Sequence, residues 1–354
     1  MSIADEQRVS ASGPTTAQSA SQPDAYSPQV IRKLNGLTSD FYAREAASFS
    51  ATRQAPWHGW EKAWELITAP DAVQDPFPSH AAVRDSLSSR AARIPNDYAS
   101  NSKDSLAVLD LGCGNLRFER FLAERANAPL RVTALDNCPD LASPEIGALS
   151  AAFPHSLRSS SAASKTKEED ASGQGANPPE KTIVDLRALD IVESLLDGTF
   201  ADRLPRNSHD LAVAFGLMHH LPTFALRARV LEGILGSLRP GGFAVVSFWQ
   251  FLNDPRLAAK AATVTAEGRA AHCLPTFQEN DFLLGWQHAE GTYRFCHHTP
   301  EDEIDALLAA IREPSAPSTS GCTSAAPLPF CEIARFSADG KLGNLNRYLL
   351  LQRL

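Results

Sequence analysis

From residue 106 onward, short apolar runs alternate with stretches of helical spacing. Leu106–Leu111, Leu130–Asp136, Thr182–Asp190, His209–Phe215 and Phe243–Trp249 are brief and rich in Leu, Val or Ala, the pattern of strands buried on both faces of a parallel sheet. Between them, Phe118, Phe121 and Leu122, and later Val230, Ile234, Leu235 and Leu238, recur at helical spacing. The second of these helices runs into Arg239-Pro-Gly-Gly242, a stop and turn before the next strand. Near the carboxyl end, Phe330–Phe336 and Asn346–Leu351 flank a turn-rich stretch around Asp339 and Gly340, which predicts a terminal hairpin. Upstream, Tyr42, Ala46 and Phe49 share one helical face, and Trp57, Trp60, Trp64 and Ile67 form an apolar stripe beyond Pro56. Weaker periodicity predicts a helix over Ala81–Ala92, and Thr299-Pro-Glu-Asp-Glu303 opens another through Ile311. Residues 251–300 lack clean periodicity but are rich in aromatic side chains, and we expect them to form a lid on the substrate side.

These patterns divide the chain. Residues 1–28 are Ser, Ala, Gln, Thr and Pro with almost no large apolar side chain, so a disordered tail is expected. Residues 29–105 form an N-terminal helical arm, and 106–354 one α/β domain interrupted by polar insertions at 156–181 and 313–329. A length of 354 residues suits one such domain with insertions. The net charge of -8 gives no overall attraction to nucleic acid or anionic membrane, so an RNA contact would need a local patch. The six cysteines include no C-x-x-C pair, which fits reduced thiols in a cytoplasm. No apolar run spans a bilayer. Histidines and cysteines between His272 and His298 show no standard zinc spacing, so no metal is expected.

Candidate chemistry gathers where the strands end. The first strand leads into Asp110-Leu-Gly112-Cys113-Gly114-Asn115, whose glycines let the chain turn and bring backbone N–H groups close to a ligand. A dinucleotide site wants a third glycine over the helix start, where this chain has Arg117, and Asp110 would repel a pyrophosphate. Asp110 suits a cation, and S-adenosylmethionine carries an ammonium and a sulfonium while its carboxylate can use the helix N-terminus. The run resembles motif I of the class I S-adenosylmethionine-dependent methyltransferases. Leu116 stands where many members have a third glycine and is expected to narrow the methionine end of the pocket. Asp136, followed by Asn137, ends the second strand as a ribose ligand, and Asp190 is placed for the adenine amino group with Ile191 against the ring. Phe215 and Gly216 form the floor beneath the cofactor. His219 and His220 fall beside the methyl-transfer position, either with one of them as a general base or both as positioning, pocket-lining groups, since esterifying a carboxylate removes no proton.

The His-His-Leu-Pro ending and the Leu-x-Pro-Gly-Gly turn resemble the same superfamily. That resemblance implies a Rossmann-like seven-stranded, mostly parallel sheet with an antiparallel terminal hairpin strand and helices on both faces. The lead Tyr42-x3-Ala-x2-Phe-Ser-x-Thr-Arg-x2-Pro-Trp57 is similar to the methyltransferases that esterify carboxymethyl-type side chains on tRNA wobble uridines. This implies that the arm folds over the cofactor, with Tyr42 beside it and Phe49, Arg53 and Trp57 facing the substrate; Trp286 joins them from the post-strand insertion. Arg53 suits a bidentate carboxylate contact and Trp57 suits stacking on a base. The expected acceptor is a tRNA, with a small-molecule acceptor as the nearer rival, a small activating protein as a candidate partner, and a non-catalytic cofactor-binding subunit as the more distant alternative.

Overall fold

The computed structural model describes residues 26–68, 105–142, 157–159, 182–287, 289, 291–313 and 328–354. The helix expected over Ala81–Ala92, the tail up to residue 25 and most of both polar insertions lie outside these residues. The arm consists of α1 (Pro28–Ala51) and α2 (His58–Thr68). The domain then runs β1 (Leu106–Leu111), α3 (Arg117–Arg125), β2 (Leu130–Asp136), β3 (Leu157–Ser159), β4 (Ile183–Ala188), α4 (Ile191–Leu196), α5 (Phe200–Arg203) and β5 (His209–Ala214). It continues through α6 (Phe224–Ser237), β6 (Leu238–Trp249), α7 (Pro255–Ala271), β7 (Asp281–Leu284), β8 (Arg294–His297) and α8 (Glu301–Arg312) to β9 (Phe330–Ala338) and β10 (Asn346–Arg353).

The main sheet has the order β3-β4-β2-β1-β5-β6-β10-β9. β1 pairs in parallel with β2 and β5, while β10 lies antiparallel between β6 and β9. This is the doubly wound sheet with an inserted hairpin strand that the resemblance implied, with one more strand than the seven expected. The addition is β3, which sits inside the polar insertion and pairs in parallel with β4 at the sheet edge. Three residues of strand inside a polar segment leave no apolar run to read.

Alternation along the buried strands sorts their side chains into two cores. Leu109, Leu111, Ala212 and Val246 join α4, α6 and α8 on one face, while Val108, Val213 and Val245 join α2 and α3 on the other. The Pro-Gly-Gly turn is absorbed into β6, whose register against β5 shifts between His209 and Leu211. Gly241 has φ +86° and a Cβ on Gly242 would meet the Arg239 carbonyl at 3.0 Å, so the strand bends where it has no side chains.

The arm starts earlier than the sequence suggests. Ser27 caps α1, Pro28 occupies its first turn, and the buried Tyr26 donates to Asp281 Oδ2 at 2.7 Å. Asp281 Oδ1 lies 2.6 Å from His297 Nδ1, His297 Nε2 lies 2.7 Å from Glu303, and Glu303 pairs with the buried Arg227 at 2.7 Å. This chain of contacts joins the arm, the insertion and α8. α2 docks on the β9–β10 hairpin at Gly59, which packs against Tyr348 of β10 and whose N–H donates to Asp339 Oδ1 in the turn at 3.2 Å. The segment expected to be irregular contains α7 and the β7–β8 hairpin. α7 is largely alanine and buries only Ala261 and Gly268, so it offers no apolar periodicity.

Candidate active site

The carboxyl ends of β1, β2, β4 and β5, residues 35–60 of the arm, and the β7–β8 insertion line a cavity of about 740 Å³. That volume lies within the ordinary range for small-molecule sites. Its position beyond the strand ends is where open α/β sheets bind ligands.

The glycine loop forms its base. Gly112 and Gly114 have φ of +74° and +55°, and a Cβ on Gly112 would press on Leu217 at 3.3 Å. Asp110, Cys113 and Asn115 line the cavity beside them. Leu116 also adopts a left-handed conformation, with φ +55°, where a glycine would be unstrained. Its side chain is fully buried in the core beneath α3 and does not line the cavity, so it leaves the pocket's width unchanged.

Asp110 is 2 % exposed and its Oδ1 has no hydrogen-bond partner among the described residues. Glu119 on α3 is buried behind it with both oxygens equally unpaired. Burial, followed by repulsion from Glu119, holds the Asp110 carboxyl well above the usual carboxylate range. Burial likewise pushes Glu119 up to about 7. With one of the two protonated, that carboxyl donates to the other; with both ionised, neither has a counter-charge. Asp136 lines the same wall, accepting from Gly114 N at 2.9 Å and from Cys138 N at 2.8 Å. Burial raises its pKa and these donors oppose the shift. Asn137 borders it and donates to Ser39 at 2.9 Å.

Asp190 lies two residues beyond β4 and caps α4, accepting from Glu193 N at 2.9 Å. Asn35 donates to both its oxygens, and Ile191 lines the cavity next to it. Phe215 and Gly216 border the cavity beneath the arm, with Trp57 packed over Gly216 at 3.6 Å from an idealised Cβ. His219 and His220 follow on a short 3-10 turn. His220 Nδ1 lies 2.7 Å from the Phe295 carbonyl, which requires a proton there, so its Nε2 accepts from the Tyr42 hydroxyl at 2.9 Å. Burial, with Arg294 adding to it, pushes the His220 pKa down to about 3, and burial takes His219 well below its ordinary value. Both rings are neutral at pH 7, and His220 has no lone pair left for a proton. Its Nε2 holds the Tyr42 hydroxyl instead.

The opposite wall is aromatic and basic. Arg53 lies 3.7 Å above the Phe49 ring centre and 4.7 Å from that of Trp286. Burial, followed by repulsion from Arg294, lowers its pKa to about 10. Trp286 Nε1 donates to Ser48 at 3.1 Å, fixing the ring against α1. The arm is tied to the loop by three donors: Asn115 Nδ2 to Arg53 O at 3.0 Å, Arg117 Nη1 to Ala55 O at 3.0 Å, and Arg120 Nη2 to Gln54 O at 2.7 Å. Arg117 also stacks over Trp57 and Trp60, with its guanidinium 5.1 and 4.8 Å from the ring centres.

His219, His220 and Cys296 bring their donor atoms within 4.8 Å of one another, a grouping that sequence spacing does not reveal. A cation there would have to break the Tyr42–His220 bond and sit beside Arg294, which interacts with the Cys296 thiol. The trio is therefore a poor metal site. His288 lies outside the described residues.

Sequence reasoning did not single out Asn35, Glu119 or Arg294. Glu119 reads as a helix charge between apolar positions, and Arg294 as one residue of an aromatic-rich segment. An arginine within the apolar run Tyr-Arg-Phe-Cys296 is the one signal that marks it.

No protein-family model matches the chain, and no curated protein does. Among solved structures the chain is similar to an S-adenosylmethionine-dependent methyltransferase from Methanosarcina mazei, at 15% identity over 72% of this chain and 95% of that one, with a TM-score of 0.42. It is also similar to 1,6-didemethyltoxoflavin-N1-methyltransferase from Burkholderia thailandensis, solved with 1,6-didemethyltoxoflavin and S-adenosylhomocysteine bound, at 15% identity over 89% and 88% of the two chains and a TM-score of 0.40. A third is an S-adenosylmethionine-dependent methyltransferase from Clostridium acetobutylicum, at 9% identity over 70% and 83%, with a TM-score of 0.36. These likenesses are ones of fold.

Proposed function

We propose that this chain is an S-adenosylmethionine-dependent methyltransferase that esterifies a carboxylate on a modified tRNA wobble uridine. The observation that carries the reading is the division of charge within one cavity. Unpaired buried carboxylates lie under the glycine loop, and arginines without carboxylate partners among the described residues face it from the arm and insertion.

A buried carboxylate without a donor is costly unless a cation meets it. Asp110 and the glycine-loop N–H groups suit the amino-acid part of the cofactor, Asp136 its ribose, and Asp190 with Ile191 its adenine. When bound, the cofactor supplies a methyl group on a sulfonium sulfur. Arg53 holds the acceptor carboxylate, and Phe49, Trp57 and Trp286 supply apolar and stacking surface that excludes water. An ionised carboxylate has no proton to lose, so a site whose two histidines are both held neutral by burial, with His220 Nε2 already occupied by Tyr42, is suited to it. Alignment supplies the rate.

The tRNA half of the proposal draws on the Phe49-Ser-x-Thr-Arg53-x2-Pro-Trp57 lead. The net charge of -8 favours a second reading, in which the acceptor is a small carboxylic acid. Incubation with bulk tRNA and methyl-labelled cofactor, followed by digestion to nucleosides, is expected to give a labelled, base-labile ester nucleoside. No labelled nucleoside across a range of tRNA sources overturns the tRNA acceptor. Native mass spectrometry of the purified protein tests the cofactor half, with co-purified S-adenosylhomocysteine as the expected result.

A further inference from the structure

Arg294 is the strongest unpaired charge in the cavity. It projects from β8, is 5 % exposed, and its Nε and Nη1 have no hydrogen-bond partner among the described residues. Its guanidinium lies 4.6 Å from the Phe41 ring centre, 5.6 Å from Phe49, 5.7 Å from Trp249 and 5.9 Å from Trp286. Burying an arginine without a counter-ion is costly, and desolvated cation–π contacts offset only part of that cost. Arg53 shares the Phe49 and Trp286 rings and repels it. No residue the sequence singled out, and no ion pair among the described residues, neutralises either guanidinium. Two like charges held over shared rings, both lining one cavity and neither paired with a carboxylate among the described residues, form a receptor for one anion.

We infer that Arg294 and Arg53 together bind the carboxylate of the methyl acceptor and distinguish acceptor from product by its charge. The inference rests on the methyl-transfer reading above. Transfer breaks the sulfur–methyl bond, leaving its electron pair on sulfur, and forms a carbon–oxygen bond from a carboxylate lone pair. The sulfonium becomes a thioether, the carboxylate becomes a neutral ester, and no proton moves. The acceptor's negative charge disappears in the same event, so the guanidinium pair loses its counter-ion as product forms. The ester is held only by its aromatic contacts and leaves. Arg294 is thus a specificity-determining residue contributed by the insertion, beside the one contributed by the arm.

The test is calorimetric titration of the full chain, first with S-adenosylhomocysteine and then, at saturation, with 5-carboxymethyluridine, its methyl ester and 5-carbamoylmethyluridine. The wild type is expected to prefer the acid over both neutral analogues by roughly tenfold or more. Arg294→Met should abolish that preference while leaving S-adenosylhomocysteine affinity unchanged, and Arg294→Lys should keep part of it, because the charge remains and the fork is lost. If the methionine variant does not fold, the lysine variant and Arg53→Met carry the comparison. A wild type without preference for the acid, or a preference that survives Arg294→Met, overturns the inference while the cofactor reading stands. Failure of the wild type to bind S-adenosylhomocysteine, seen before any nucleoside is added, overturns the methyl-transfer reading and the inference with it.

Discussion

Raising the pH through neutrality is expected to weaken the free protein and to tighten its hold on the cofactor. Asp110 and Glu119 are buried together with Asp110 Oδ1 and both Glu119 oxygens lacking a partner among the other described residues, and burial takes Glu119 from 4.5 to about 7. Its folded-state pKa therefore lies above its unfolded value, and the folded protein favours the protonated carboxyl. That contribution is fully present below the unfolded pKa and is lost as pH rises towards 7, costing on the order of 3 kcal/mol at about 1.4 kcal/mol per unit. A ligand bearing ammonium and sulfonium groups needs the ionised carboxylates, so its affinity rises by up to roughly tenfold per pH unit below about 7 and levels off above. Scanning calorimetry at about pH 5.5 and 8, with and without S-adenosylmethionine, should show the free protein melting lower at the higher pH and the cofactor-induced increase growing. Titration near pH 6.5 in two buffers of different ionisation enthalpy should show up to about one proton released per cofactor bound. Glu119→Gln should flatten both dependences. A cofactor-induced shift equal at the two pH values, or proton uptake on binding, refutes the coupling.

Three further outcomes follow from geometry. A Cβ on Gly59 would lie 2.1 Å from the buried Tyr348 ring, so Gly59→Ala should lower stability by about 1–3 kcal/mol in urea unfolding and free the arm to limited proteolysis. Glu303→Gln removes the carboxylate that faces both His297 and the buried Arg227, with an expected loss of about 3–5 kcal/mol; a stability change within error would show that the contact chain between arm and α8 is dispensable. Because the His220 pKa is pushed down to about 3 and its Nε2 is occupied by Tyr42, methyl transfer should show no histidine inflection between about pH 6 and 8; an inflection removed by His220→Asn would restore it as a base.

The strands of the sheet were legible because burial on both faces leaves continuous apolar runs: the run Leu130–Asp136 coincides with β2, and Leu106–Leu111 with β1. What failed to register had weak or ambiguous side-chain signals. α7 packs through alanine and glycine, β3 is three residues in a polar segment, and Tyr26 is one aromatic residue at the edge of a low-complexity stretch. Leu116 illustrates the limit of motif reading, since its place in the glycine loop suggested a pocket residue whereas a left-handed backbone turns the side chain into the core. Glu119 and Arg294 escaped for a shared reason. A buried charge looks like a surface charge in one dimension, and only the packing around it shows that its partner is missing.

The three donors from the glycine loop and α3 to the carbonyls of residues 53–55 also have a kinetic consequence. The segment that carries Arg53 hangs from the loop above which the cofactor would bind, so on the proposed reading half of the acceptor site is positioned by the other ligand's platform. Steady-state turnover should then be ordered, with cofactor adding first and S-adenosylhomocysteine leaving last, competitive only against the methyl donor. Linkage makes the effect reciprocal: whatever factor the cofactor adds to acceptor affinity, the acceptor returns to the cofactor.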